Sequence, residues 1–415
     1  MKKNLQIGIL VAVLSAGLAP AQQNTTRDLG SGYGAGYGAG SSSDTKFYRE
    51  GGGWVQEISG SLAASRALKV KTDMGSVRVQ GGAQAITFHF KMRVNAGSEE
   101  SARRRLETFR FSATRQGDTA VIIGDCRGDC PRNTSTEFVV EVPSDTAQVM
   151  VQSGGGNLTV SGLNGEVAAG TGGGNLRLDG LGGPVSASSG GGNVDVGSVR
   201  SNLAVSTGGG NIHIGMAGGA LSVSTGGGEV VVETANSTVS VSTGGNDIHI
   251  GKVAGALNAN TGGGNIQIGD VGGAVIAETG GGDIRLSSAR GQVRANTGGG
   301  NLQLWGVGGG IKTETGAGSI TVEFVGGQPF TPSEVETGSG DIIVYIPSNL
   351  KVTVRAAVEY CNGGGITSDF SELRVHSEGG EYGHEVYADG SLNGGGPLLK
   401  IRAGNGSITI HRGKK

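Results

Sequence analysis

A hydroxyl residue followed by glycines recurs every 18 residues along the middle of this chain. It stands at Ser153, Thr171, Ser189, Thr207, Thr225, Thr243, Thr261, Thr279, Thr297 and Thr315. So short a period leaves too little chain per unit for a propeller blade or a helical-pair repeat. It fits one coil of a solenoid, made of two short strands and two tight turns. The unit reads roughly [S/T]-G-G-G-N-I-x-I-G-x-V-G-G-x-V-x-A-x, and a less regular turn follows at Thr337 after the insertion of Gln328-Pro329-Phe330. Degenerate relatives at 72–76 and 404–407 extend the pattern into both flanks.

Period-2 alternation sorts the side chains within a coil, because successive residues of a strand face opposite sides. Leu158, Leu176, Val194, Ile212, Val230, Ile266, Ile284 and Leu302 form one inward column, with Val160, Leu178, Val196 and Ile214 beside it. Ala169, Ala187, Val205 and Val223 make a slimmer column on the other strand, so the coil is thin. The 84 glycines of the 415 residues fall in the turns, where positive φ or close backbone approach excludes a Cβ. Asn157, Asn175, Asn193, Asn211, Asn265 and Asn301 follow them and are placed to hydrogen-bond from coil to coil. At the strand spacing of about 4.8 Å, ten coils give a rod of roughly 45–50 Å.

The flanks read differently. Residues 1–21 have a basic start (Lys2, Lys3), an apolar stretch over 7–18 and Ala19-Pro20-Ala21, the layout of a secretory signal peptide. A Gly/Ser-rich lead, expected to be flexible, covers 22–53. Over 54–150 the pattern is α+β, with strands at 85–94, 119–123 and 137–142 and a helix over 98–110 capped by Ser98. The expected fold is therefore all-β: a single-stranded parallel β-solenoid over 151–340, capped by that α+β segment and by an irregular β segment at 341–415. Export makes oxidation of Cys126 and Cys130 reasonable, which would staple a loop around Arg127, Gly128 and Asp129. Cys361 is left over.

The phrase S-T-G-G-G-N-I-x-I, Val142-Pro143-Ser144 ahead of the first coil, and the ending Gly404-Asn405-Gly406-Ser407-Ile408-Thr409-Ile410 together resemble the bacterial putative-adhesin domain family. The resemblance covers most of 55–412 and implies an exported β-solenoid. Its motifs are turn and core residues, so it brings no catalytic residues with it.

Candidate chemistry is sparse. The formal charge of −2, or −4 without the signal lysines, does not suit a partner that tracks phosphates, so no nucleic acid is expected. His213 and His249 share a face two coils apart, roughly 9.6 Å, too far for one metal ion. A calcium-binding roll would need a regular Asp at each turn, where this chain carries mainly Asn. His376–Glu385 groups two His and three Glu but lacks the helical spacing of a zinc motif. RGD at 127–129 has the form that integrins recognise, beside the plainer reading of a stapled turn. Aromatics are 4% of the residues, and Trp54 and Trp305 lie far apart in sequence, which speaks against a glycan-processing β-helix. A Thr ladder suggests ice binding, but the double T-x-T pattern is absent. No cofactor and no metal are implied, and no enzyme is expected. The function expected is a structural or adhesive surface protein, monomeric, making weak multivalent contacts with a surface, glycan or protein. The alternative is a periplasmic scaffold or sensor that binds a protein partner.

Overall fold

The computed structural model describes residues 36–37, 42–130, 132–326, 329–360, 365–380 and 383–413. The chain divides into two units, Met1–Gly34 and Ala35–Lys415, and the described residues all lie in the second. The signal peptide and the first part of the expected lead, like Cys361, lie outside the described residues.

Each coil gives one strand to each of two long sheets, and both sheets are parallel through the repeats. The pairing is in register at the sequence period: Leu203 meets Leu221, Val205 meets Val223 and Thr207 meets Thr225, while on the other sheet Ile212 meets Val230 and Ile214 meets Val232. A parallel sheet covered on its inner face needs a continuous apolar column, and in-register stacking supplies it from any residue that repeats. The inward columns named from the sequence are buried without exception, and another joins them through Leu163, Leu181, Val199, Ala217, Ala235, Val253, Val271, Ala289 and Val307. The β-solenoid is thus the fold of this chain.

Two backbone devices hold the turns. Each leading hydroxyl is buried and serves both sides of the turn. Thr225 Oγ1 donates to the Gly210 carbonyl at 2.9 Å and accepts from the Gly228 N–H at 3.1 Å, and the same arrangement recurs from Ser153 to Thr297 except at Thr243, where Asn246 replaces the third glycine and the donated bond to Gly228 is kept. A buried hydroxyl is tolerated when its hydrogen bonds are satisfied, and here one group ties two coils. The second device is the asparagine ladder, in which a side-chain oxygen accepts from the backbone N–H one coil on. Asn157 accepts from Asn175, Asn175 from Asn193 and Asn193 from Asn211, each at 2.9 Å. The ladder bond uses the oxygen, which explains why Asp247 and Asp283 can replace asparagine and still accept from the Asn265 and Asn301 N–H groups. Asn193→Asp should therefore change the melting free energy little. Asn193→Leu leaves the Asn211 N–H to water and should cost about 0.5–1.5 kcal/mol, measured by denaturant unfolding.

The glycines need one correction. In the Gly-Gly-Gly turns of the regular coils the backbone does not take positive φ, so left-handed geometry is not what selects glycine there. Close approach is: a Cβ on Gly208 would lie 2.1 Å from the Gly190 carbonyl oxygen, and one on Gly210 would lie 2.2 Å from that of Gly192. The middle residue, Gly209, has nothing within 4 Å. Ala317 already occupies the equivalent middle position in a later coil.

Both ends depart from sequence order. The pair Ala67–Thr72 and Ser76–Gly81 is a full coil, lying between the later Thr119–Cys126/Thr134–Val142 pair and the first repeat coil, Gln148–Ser153/Leu158–Ser161. At the other end the C-terminal strands Leu398–Asn405 and Ile408–Gly413 slot between Ser333–Ser339/Ile342–Pro347 and the earlier Val352–Tyr360/Ile366–Ser368. The degenerate motifs at 72–76 and 404–407 are thus true coils. Antiparallel strands then cover the ends. The hairpin Ser42–Glu50/Gly53–Leu62 pairs with Ile86–Val94, so ordered chain starts inside the stretch whose composition suggested a flexible lead. Its strands are held by cross-strand pairing that a Gly/Ser count does not register.

The helix is Glu99–Leu106, capped by Ser98, whose Oγ accepts from the Ser101 N–H at 3.3 Å. It ends sooner than the expected 110 because Phe109 and Phe111 are pulled into a strand, where they join Phe90 and Phe138 in an aromatic cluster with centroids 4.8–6.3 Å apart. No phenylalanine falls between residues 139 and 323. The thin coil has no room for one, and the wider ends do.

Candidate binding surfaces

The outer faces of the rod are where a ligand could meet it, and they differ along its length. On the sheet holding Val185–Ser189 and its equivalents, the outward pairs are Ser186 and Ser188, Ala204 and Ser206, Ser222 and Ser224, Ser240 and Ser242, then Asn258 and Asn260. This stretch is flat, small-sided and uncharged. Beyond it the face turns ionic, through Glu278 and Arg294 to Lys312, Glu334, Lys400 and Arg402. The threonines that define the repeat are buried, and the repeat asparagines, though exposed at the turns, have their side-chain oxygens committed to backbone N–H groups.

The opposite sheet carries the histidines. His213 is held between Asp195 at Nδ1 and Glu233 at Nε2, both at 3.1 Å, and His249 Nε2 lies 3.4 Å from Glu229. Each histidine has its own carboxylates, and among the described residues no group of three or more His, Cys, Asp or Glu is placed to hold a metal ion. The Asp195 hydrogen bond raises the His213 pKa, with Glu233 adding to it against partial desolvation. The contribution of this pair is complete below the unfolded value near 6.5 and is lost as pH rises through the raised folded value. An NMR titration should show His213 deprotonating above the unfolded value, with most of the rise gone in Asp195→Asn.

Sequence distance concealed one cluster. Trp305, 39% exposed, stands at a bulge between Leu304 and Val307, where Gly306 takes φ of 57°. It leans toward Tyr345 at 6.1 Å between ring centroids, and Tyr345 stacks on His411 at 5.4 Å. A bulge re-aims a side chain that regular pairing would hold in its own row. Trp54 is separate, stacked on Phe47 in the N-terminal hairpin at 5.2 Å.

Cys126 and Cys130 are joined in a disulfide with their Cα atoms 5.2 Å apart. Arg127, Gly128 and Asp129 are exposed at its tip, where Gly128 takes φ of 83°. His376 and Glu385 lie on the two strands of a hairpin, Arg374–Gly380 and Gly383–Leu392, rather than in a loop. His376 is 3.8 Å from Asp389 and stacked on Tyr387. No helix among the described residues is long and apolar enough to cross a membrane.

No protein-family model matches the chain, and no curated protein matches it. Among solved structures, a "putative cell adhesion protein" from Clostridium sporogenes aligns over 90% of this chain and 99% of its own, at 10% identity and a TM-score of 0.16. A "putative adhesin" from Bacteroides fragilis covers 65% of this chain and 97% of its own, at 9% identity and a TM-score of 0.25. One from Parabacteroides merdae covers 70% and 98%, at 13% identity and a TM-score of 0.25. At superposition scores this low the likeness carries no argument about what this chain does.

Proposed function

We propose that this chain is an exported, non-enzymatic adhesive rod that works through repeated weak contacts along its outer faces. The observation that carries this is the lattice itself: rigid, in-register coils present the same outward positions at a fixed spacing of about 4.8 Å. Individually weak contacts on such a lattice add through effective concentration rather than through one deep pocket. The Arg127–Asp129 tip belongs to the same proposal as an accessory contact loop at the N-terminal end.

Protease treatment of intact producing cells, with fractionation of periplasm and medium, tests this. Shaving of the protein from whole cells, or its recovery from their surface, is the expected result. Protection until the outer envelope is opened would end the adhesive proposal in favour of a periplasmic scaffold or sensor that binds a protein partner.

A further inference from the structure

Near the C-terminal end, the ionic face contains one gap. In register across neighbouring strands run Glu336, Arg402, Ala357, Tyr387 and His376, and beside them Glu334, Lys400, Arg355, Asp389 and Arg374. Ala357 has the smallest side chain of this block, set among Arg402, Tyr387, Lys400 and Arg355. The missing volume opens a cavity of about 240 Å³, walled by Arg355, Tyr387, Leu398, Lys400 and Arg402.

The walls are not equivalent. Lys400 is paired with Glu334 at 2.8 Å, and Arg402 is bonded to Glu359 and lies 3.6 Å from Glu336. Arg355 is exposed and has no carboxylate within ion-pairing distance among the described residues, since its cross-strand neighbour Asp389 faces His376 instead. The cavity therefore offers a single uncommitted guanidinium, suited to planar bidentate recognition of one carboxylate. Tyr387, which lines the cavity, is stacked on His376 at 5.7 Å between ring centroids, which restrains its ring. Together with Leu398 it offers an apolar surface beside the charge. The volume falls below the roughly 300–1,000 Å³ of pockets that enclose drug-sized ligands and suits one ring.

We infer that this cavity binds a single hexuronate residue of an acidic polysaccharide, its carboxylate on Arg355 and its ring against Tyr387 over Ala357. A phosphate dianion fits less well, because Glu334, Glu336, Glu359 and Asp389 lie beside the cavity's lining residues and disfavour a second negative charge. This names a ligand class for the adhesive function and rests on that proposal for its biological role, though not for the chemistry of the site.

The test is calorimetry or ligand-observed NMR on the full mature chain with D-glucuronate, its methyl ester, glucose and inorganic phosphate. Glucuronate should bind with Kd on the order of 1 mM, as a small ligand in an open site does. The ester and glucose should bind at least tenfold more weakly, and the affinity should fall with added salt. Arg355→Gln should weaken glucuronate about tenfold, and Ala357→Leu, which fills the gap from the solvent side, should abolish binding. Unchanged circular dichroism and melting of both variants would keep the loss attributable to the site. Equal binding of ester and acid, tighter binding of phosphate, affinity unmoved by Ala357→Leu, or no binding at several times that concentration would each overturn the inference. Surface exposure without glucuronate binding would remove this site and leave the adhesive proposal standing. Glucuronate binding by a protein protected inside the envelope would do the reverse.

Discussion

Gly228→Ala should destabilise the rod by about 3 kcal/mol or more, while Gly227→Ala, one residue away, should be neutral or slightly stabilising. A Cβ on Gly228 would sit 2.0 Å from the Gly210 carbonyl oxygen, which is backbone held by the coil beneath. That oxygen also accepts the Thr225 hydroxyl, so relieving the clash breaks a buried hydrogen bond. Overpacking against fixed backbone, with a bond lost as well, belongs to the severe end of point-mutant effects. Gly227 has nothing within 4 Å and no positive φ. Alanine there mainly narrows the unfolded ensemble, which stabilises by about 0.4–1 kcal/mol. Urea unfolding of the two variants beside the parent decides it. Equal destabilisation of both would show that conformation, rather than coil-to-coil approach, selects glycine in these turns.

Truncation after Pro397 should make the chain aggregate or assemble beyond the state of the full chain and make residues 348–397 protease-sensitive. The removed strands, Leu398–Asn405 and Ile408–Gly413, lie inside the stack rather than on its end. Without them the Ser333–Ser339/Ile342–Pro347 coil presents unpaired edges in both sheets, and the Val352–Tyr360 strand keeps only its antiparallel partner Gly383–Leu392. Open edges of this kind template pairing with other chains. Ile401→Asp provides a milder version, placing a carboxylate where the side chain is now 0% exposed, at a cost of several kcal/mol. Light scattering and limited proteolysis would read both. A truncated chain that assembled no further than the full chain and stayed resistant over 348–397 would show that the inserted strands are dispensable for closing the rod.

The regular coils were legible because every stabilising element in them repeats. Leu176, Val194 and Ile212 announce an inward column by position alone, and the Thr-Gly-Gly-Gly-Asn phrase announces the turn. What each turn residue does was less legible. Asn193 could be assigned a ladder, but the buried position of Thr207 and the unequal status of Gly208, Gly209 and Gly210 follow from the distance between coils. Candidate sites suffered most. Trp305, Tyr345 and His411 share no local motif, and the Ala357 cavity exists because strands from 352–360, 383–392 and 398–405 become neighbours.

The sequence by itself determined the coil: an 18-residue period, alternating apolar columns and small turn residues leave a parallel stack as the one arrangement that buries every column. It determined the bridgeable spacing of Cys126 and Cys130 and the Ser98 cap for the same reason, since both are local. Tertiary structure decided the order of the end coils and everything on the outer faces. A strand's partner is chosen by the closure of the whole stack, and a surface site needs side chains from several partners at once. The slot taken by 398–413 between two earlier coils, and the cavity that sets Arg355 beside Tyr387, arise at that level.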